Sequence, residues 1–243
     1  MPAGARRRVR TAAALALLIT CGGALLRLDA LVGKYGTVGH PAWARALTQD
    51  VAPLAVPLRP SGISWAPVDR PYVGGDPINY LRFAREMRGF YQAHVREPVF
   101  LALTRGWLFA LDEQDVAVSF ASLTGSTLAI LATYLVGAAL GSRIAGLLAA
   151  LLVAIEYETI TWAPDGWRDD TFTAAVLLAA WALIRWYRQP SSGGALLAGA
   201  LCGIACLTRI TALSFALPAI LWLLAASPAP RRDRARQAAI ATG

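Results

Sequence analysis

The chain has 243 residues, and its 23 Lys and Arg residues outnumber its 15 Asp and Glu residues, which gives a formal net charge of +8. Apolar residues make up 56% and charged residues only 16%, whereas a soluble domain has about 45–50% apolar and about 25% charged residues. This composition excludes a soluble nucleic-acid-binding protein and a disordered chain, and it predicts an integral membrane protein.

Apolar runs of the length that crosses a membrane, about 20 residues, occur six times along the chain. The predicted spans are residues 11–28, 116–140, 144–162, 171–187, 194–208 and 210–226. The predicted fold class is therefore an all-α membrane protein with about six transmembrane helices. Basic tails at 1–10 and 227–243 flank a first span (11–28), a long loop (29–115) and a five-helix transmembrane bundle (116–226). A cleaved signal peptide is the alternative for the first span, but its apolar run continues past Cys21.

The arginines indicate which way the chain crosses the membrane. If the N-terminus is cytoplasmic and the spans alternate, the inner side carries 11 basic residues and one acid, and the outer side carries 12 basic residues and 14 acids. This distribution satisfies the positive-inside rule. It predicts a protein of the plasma (inner) membrane whose 29–115 loop faces the periplasm or exterior.

Two juxtamembrane amphipathic helices are predicted in the second half of this outer loop. Apolar residues recur at helical spacing from Tyr80 to Tyr91, opposite Arg82, Arg85 and Glu86, which is typical of a helix lying in the membrane interface. Asp76 occupies the expected cap position of this helix. A second apolar run, from Val99 to Leu111, is too short to span.

Acidic and basic side chains collect on the predicted outer side. They are Asp76, His94, Arg96, Glu97, the charged residues of the 156–170 loop, and Arg209. Each has a purely structural alternative: Asp76 and Glu97 as helix caps, Asp169 and Asp170 as the acidic start of a helix, His94 as a surface residue, Arg209 as a topology marker. As a set, they offer arginines that bind phosphate bidentately and carboxylates that accept a proton from an acceptor.

The order of these motifs resembles the GT-C superfamily of polytopic glycosyltransferases, in particular the polyprenyl-phosphate-mannose mannosyltransferases and aminoarabinose transferases. The matching segments are GGDPINYLRFA, HVREPVFLALTRGWLFAL, WRDDTFTAAVLLAAWAL and GALLAGALCGIACLTRITAL. The resemblance implies inverting transfer of a sugar from a polyprenyl-phosphate donor to an acceptor lipid, glycan or protein on the outer face.

The resemblance also implies roles for individual residues. Asp76 is the expected general base, and Glu97 shares that role or positions the acceptor. Tyr80, His94, Arg96, Arg168, Asp169, Asp170 and Arg209 are expected to bind the substrate or its phosphate. In many family members an Asp-Glu pair stands where this chain has Asp76 and Pro77, so a second acid at that position is not expected.

Other expectations concern partners and alternative functions. Family members run longer, so the chain is expected to be the N-terminal part of a larger transferase or to act with a partner chain, in contact with membrane lipids. No metal-ligand spacing is present, although scattered carboxylates could hold a divalent cation. A transporter or flippase component, and a non-catalytic scaffold that packs through small-residue faces, are the alternative functions.

Overall fold

The computed structural model describes residues 3–35, 75–90, 98–226 and 239–240. These residues are helical, with no strand in the described ranges. The helices are α1 (Ala3–Tyr35), α2 (Asp76–Glu86), α3 (Pro98–Ala110), α4 (Ala117–Leu140), α5 (Arg143–Ile155), α6 (Tyr157–Trp162), α7 (Asp169–Arg188), α8 (Ser192–Thr208) and α9 (Leu213–Ala226). Short 3₁₀ turns follow α6, at Ala163–Asp165, and α8, at Ile210–Ala212. The all-α prediction is therefore confirmed over the part of the chain described.

Within the described residues, two helices are long and apolar enough to cross a membrane, at Val9–Val32 and Ala117–Leu140. A third crossing is present if the bent pair Arg143–Ile155 and Tyr157–Asp165 counts as one span. The chain is thus a helical membrane protein with two or three candidate spans, and six spans stay a prediction. The later predicted spans correspond to helices α7, α8 and α9.

The third span, which the sequence predicts as one continuous helix over residues 144–162, is broken at Glu156. The Glu156 carboxylate accepts hydrogen bonds from the backbone N–H groups of Glu158 at 3.0 Å and Thr159 at 2.6 Å. It therefore caps a new helix, α6, because a side-chain oxygen here satisfies N–H groups that have no partner inside the helix. Glu156 is therefore the N-cap residue of α6.

The chain divides into two compact units. Unit A comprises Gly23–Ser126 and Ile155–Thr171, and unit B comprises Met1–Gly22, Thr127–Ala154 and Phe172–Gly243. The core of unit B is rich in alanine: Ala179, Ala182, Ala195 and Ala198 are all buried where α7 and α8 pack together. Such small side chains let helix backbones approach closely, which is the usual mode of packing between membrane helices.

The core of unit A joins α2 and α3 to the start of α4. Tyr80 and Ala84 of α2, Phe100 and Leu108 of α3, and Val118 of α4 belong to one buried cluster. A helix is present at Asp76–Glu86, but it ends before Phe90, so it is shorter than the stripe predicted from Tyr80 to Tyr91. Its location in a membrane interface stays a prediction.

Ion pairs join α2 and α3 to the turn between α3 and α4. Arg85 contacts the Asp115 carboxylate at 2.6 Å, and Arg105 contacts Glu113 at 2.6 Å. These two acids, which precede α4 in the chain, therefore pair with arginines. Because both arginines are partly exposed, each pair contributes at most about 1 kcal/mol.

Candidate functional site

Asp76 is the first residue of α2 and does not cap it. The helix begins after Gly75, whose φ of 68° suits glycine, and no side-chain hydrogen bond caps the helix. The interpretation of Asp76 as a helix cap is therefore wrong. Its carboxylate is exposed and accepts a long hydrogen bond, 3.5 Å, from the Tyr80 hydroxyl one turn later.

The Tyr80 ring connects α2 to two distant parts of unit A. The ring is buried and packs edge-to-face on Phe100, with centroids 5.3 Å apart. The Arg168 guanidinium lies over the same ring, 5.6 Å from its centroid. Asp76, Tyr80 and Arg168, three of the predicted site residues, therefore lie side by side.

The backbone at Gly166 brings the Arg168 segment against α2. Gly166 has a φ of 78°, and a Cβ at this position would lie 3.0 Å from Val118 Cγ1 and 3.4 Å from Pro77 Cβ. The ring of the next residue, Trp167, lies 3.7 Å from where a Cβ would be if Gly75 carried a side chain. The Ser119 hydroxyl donates to the Pro164 carbonyl and holds the preceding turn on α4. A close backbone approach at a glycine thus fixes the loop that carries Arg168.

Replacing Gly166 with Ala is expected to destabilise the protein by more than about 1 kcal/mol, because alanine is strained at positive φ and its methyl group would press on Val118. Thermal unfolding of the purified protein in detergent measures the change. Gly106→Ala is the matched control, since a Cβ there meets no atom within 4 Å and lies in the interior of α3. That variant should be neutral or slightly more stable, and equal melting temperatures for both would contradict the prediction.

Asp170 lies against α4 in unit A. Its carboxylate accepts a hydrogen bond from Ser122 at 2.9 Å and also interacts with Ser126. Asp170 precedes the apolar part of α7, and burial raises the pKa of its carboxyl to about 6, against the lowering effects of Ser122 and of the positive charge on Arg27. Its neighbour Asp169 is exposed.

Arg27 lies in the same polar cluster as Asp170, Ser122 and Ser126, and it is not among the predicted site residues. The charge distribution places Arg27 only among the basic residues of the outer side, whereas in the structure the residue is 0% exposed. Its Nε donates to Ser126 Oγ at 2.7 Å, and its terminal nitrogens donate to the Gly23 carbonyl at 3.0 Å and to Thr159 Oγ1 at 3.1 Å. Two signals were available: a charge inside a long apolar helix, and hydroxyls at 119, 122 and 126 on one face of α4.

Arg209 is the remaining predicted site residue that the structure describes. His94, Arg96 and Glu97 lie outside the described residues. Arg209 belongs to unit B, where it connects α8 to the following 3₁₀ turn and lies over the Phe172 ring at 5.7 Å. Within the described part of the chain, no group of three or more His, Cys, Asp or Glu side chains is arranged to hold a metal ion.

Comparison with known proteins identifies the family. No curated protein and no solved structure matches the chain. The family described as dolichyl-phosphate-mannose-protein mannosyltransferase matches residues 96–241, well over half of the chain, from just before α3 to beyond α9. The match begins after Asp76 and Tyr80 and therefore leaves out α2. It covers Ser126 and Thr159, which Arg27 contacts, and the Arg168–Asp170 segment. The predicted resemblance is confirmed: the chain belongs to the dolichyl-phosphate-mannose-protein mannosyltransferase family of membrane glycosyltransferases.

Proposed function

We propose that this protein transfers a sugar from a polyprenyl-phosphate donor to an acceptor on the outer side of the membrane, with inversion at the anomeric carbon. Asp76 acts as the general base. In this proposal the chain spans the membrane six times with its N-terminus in the cytoplasm, and the Asp76 site faces the periplasm or exterior. The donor lipid lies in the bilayer with its phosphate at the level of α2 and the Arg168 loop.

The observation that carries the proposal is the contact of Asp76, Tyr80 and Arg168 in unit A. An exposed carboxylate one helical turn away and an arginine from a distant segment contact the same tyrosine: Asp76 through the hydroxyl at 3.5 Å and Arg168 across the ring at 5.6 Å. The tyrosine is itself buried against Phe100, so both charged groups are attached to a rigid element. A base and a phosphate-binding cation at a fixed separation suit this reaction.

The reaction needs both groups in a single displacement. The acceptor oxygen forms a bond to the anomeric carbon while the bond from that carbon to the donor phosphate oxygen breaks. The electron pair of the broken bond goes to the phosphate, and the acceptor proton goes to Asp76. Arg168 stabilises the phosphate because the negative charge on the leaving oxygen grows in the transition state.

The other predicted residues have supporting roles in this proposal. Tyr80 orients the Asp76 carboxylate through its hydroxyl. Asp170 accepts hydrogen bonds from sugar hydroxyls, since a carboxylate has more acceptor sites than its serine partners use, and the exposed Asp169 contacts the sugar from the same helix start. Glu97 positions the acceptor, and His94 and Arg96 contact the donor phosphate.

A transfer assay with the purified full chain in nanodiscs tests the proposal. The probe is a short-chain polyprenyl-phosphate mannose carrying a radiolabelled sugar, with a mixture of peptide, glycan and lipid acceptors. We expect label to move to one acceptor class and the product linkage to have the opposite anomeric configuration to the donor. Free mannose as the only labelled product, or retained configuration, would contradict the proposed reaction.

A further inference from the structure

Arg27 is a fully buried charged residue inside a candidate membrane span. Its guanidinium ties three segments of unit A together: its own helix α1 at the Gly23 carbonyl, α4 at Ser126, and α6 at Thr159. All three of these acceptors are neutral. A buried guanidinium is costly unless a negative charge lies near it.

Asp170 provides this negative charge. The positive charge of Arg27 interacts electrostatically with Asp170 and with Glu156, and Asp170 also contacts Ser126. Ser126 is thus a shared partner: its hydroxyl oxygen accepts from Arg27 Nε at 2.7 Å, and its own proton is available for the Asp170 carboxylate. Ser122, one helical turn earlier on α4, donates a hydrogen bond to Asp170 Oδ2 at 2.9 Å.

Close packing of the backbone holds Asp170 in this position. Gly125 of α4 faces Thr171, and a Cβ at Gly125 would lie 2.5 Å from the Thr171 backbone nitrogen. Only glycine therefore permits the start of α7 to lie this near to α4. The contact places the residue before Thr171, which is Asp170, against the two serines.

We propose that Arg27 is a positioning residue, which holds the Asp170 carboxylate in place through Ser126 and keeps it charged for use in the site. Arg27 itself is buried and does not touch substrate. The use of the Asp170 carboxylate for sugar binding rests on the proposed function, but the linkage between Arg27 and Asp170 does not. The consequence is that Arg27 sets the lower pH limit at which the site carries this negative charge.

The charged and titratable groups around Asp170 give the sign of the effect. Arg27 on α1 favours its ionised form, as do Ser122 and Ser126 on α4, whereas the adjacent Asp169 and burial oppose ionisation. With the pKa of Asp170 at about 6, roughly half of the molecules carry the charge at pH 6, and the charge is lost as the pH falls below that value. Removing the Arg27 charge therefore raises the pKa of Asp170 and moves this loss to higher pH.

The test measures protonation of Asp170 directly in the full chain. Infrared difference spectra are recorded on both sides of pH 6, and the Asp170 carboxylic acid band is assigned by its absence in Asp170→Asn. The variants are Arg27→Gln, Arg27→Lys and Ser126→Ala, with Arg10→Gln on the same helix as the control.

In Arg27→Gln we expect the ionised fraction of Asp170 at pH 6 to fall from about one half to a minor fraction. Arg27→Lys should restore most of it, and Ser126→Ala should give a smaller change in the same direction.

An unchanged titration in a folded Arg27→Gln variant would overturn the proposal. If Arg27→Gln does not fold, an unchanged titration in Ser126→Ala has the same consequence, because that variant removes the shared hydroxyl and leaves both charges. The pH dependence of sugar transfer is recorded for the same variants. If Asp170→Asn transfers sugar at the wild-type rate, the proposed role of Asp170 in the reaction fails, while the infrared result still decides the linkage to Arg27.

Discussion

Replacement of Asp76 with Asn is expected to lower the rate of sugar transfer by about 10²–10⁴-fold, the usual contribution of a general base. Asparagine keeps the size of the side chain and can still accept from the Tyr80 hydroxyl, but it cannot take the acceptor proton. The donor should bind with unchanged affinity, because in the proposed reaction Asp76 takes the acceptor proton and does not contact the phosphate. Single-turnover transfer with saturating donor measures the rate, and donor titration measures the affinity.

Asp29→Asn is the matched control for this variant, since Asp29 is an exposed carboxylate at the far end of α1 from the N-terminus and belongs to the same unit. It should transfer sugar at the wild-type rate. Full activity of Asp76→Asn would remove the base from the proposed mechanism. Melting temperatures within experimental error of the wild type should accompany both substitutions, because neither carboxylate is buried.

Replacement of Arg168 with Gln is expected to lower transfer by about 10²–10³-fold, comparable to the loss of one preorganised donor to a developing anion. The guanidinium lies over the ring of Tyr80, whose hydroxyl donates to the Asp76 carboxylate. Arg168→Lys should recover only part of the rate, because lysine keeps the charge but loses the planar, bidentate contact and the stacking on the ring. Steady-state kinetics at saturating acceptor give these values.

The matched control is Arg82→Gln on the exposed face of α2, where the guanidinium lies over the Phe83 ring at 5.0 Å. This variant also removes an arginine from an aromatic ring but takes no charge from the proposed site, so its rate should stay near that of the wild type. Equal losses in the two variants would show that general positive charge matters, and not the position of Arg168 beside Asp76.

Local patterns predicted most of the helical elements. The stripe that begins at Tyr80 and the apolar run that begins at Val99 both correspond to helices of the structure, because helix formation depends on a periodicity that is visible within a dozen residues. The break at Glu156 was harder to see, since the apolar residues continue on both sides of it. It depends on one carboxylate turning back onto two backbone N–H groups.

The grouping of site residues was predicted only in part. Placing the acids and arginines on one side of the membrane relied on counting charges, which cannot tell which carboxylate meets which arginine. Asp169 and Asp170 are adjacent in sequence, yet one is exposed and the other contacts two serines of α4. The helix turns by about 100° per residue, so neighbouring side chains point to different surroundings.

The sequence by itself determined that the chain is an apolar, helical membrane protein with the motifs of a sugar transferase, because composition, periodicity and motif order are properties of the chain read in one dimension. Only the tertiary structure decided that Arg168 meets Tyr80 beside Asp76, and that Arg27 meets Ser126 and Thr159 across 99 and 132 residues. The same region has close contacts between distant segments, of Gly125 with the Thr171 backbone and of Gly166 with the Val118 and Pro77 side chains. Such packing arises between distant segments and leaves no local pattern to read.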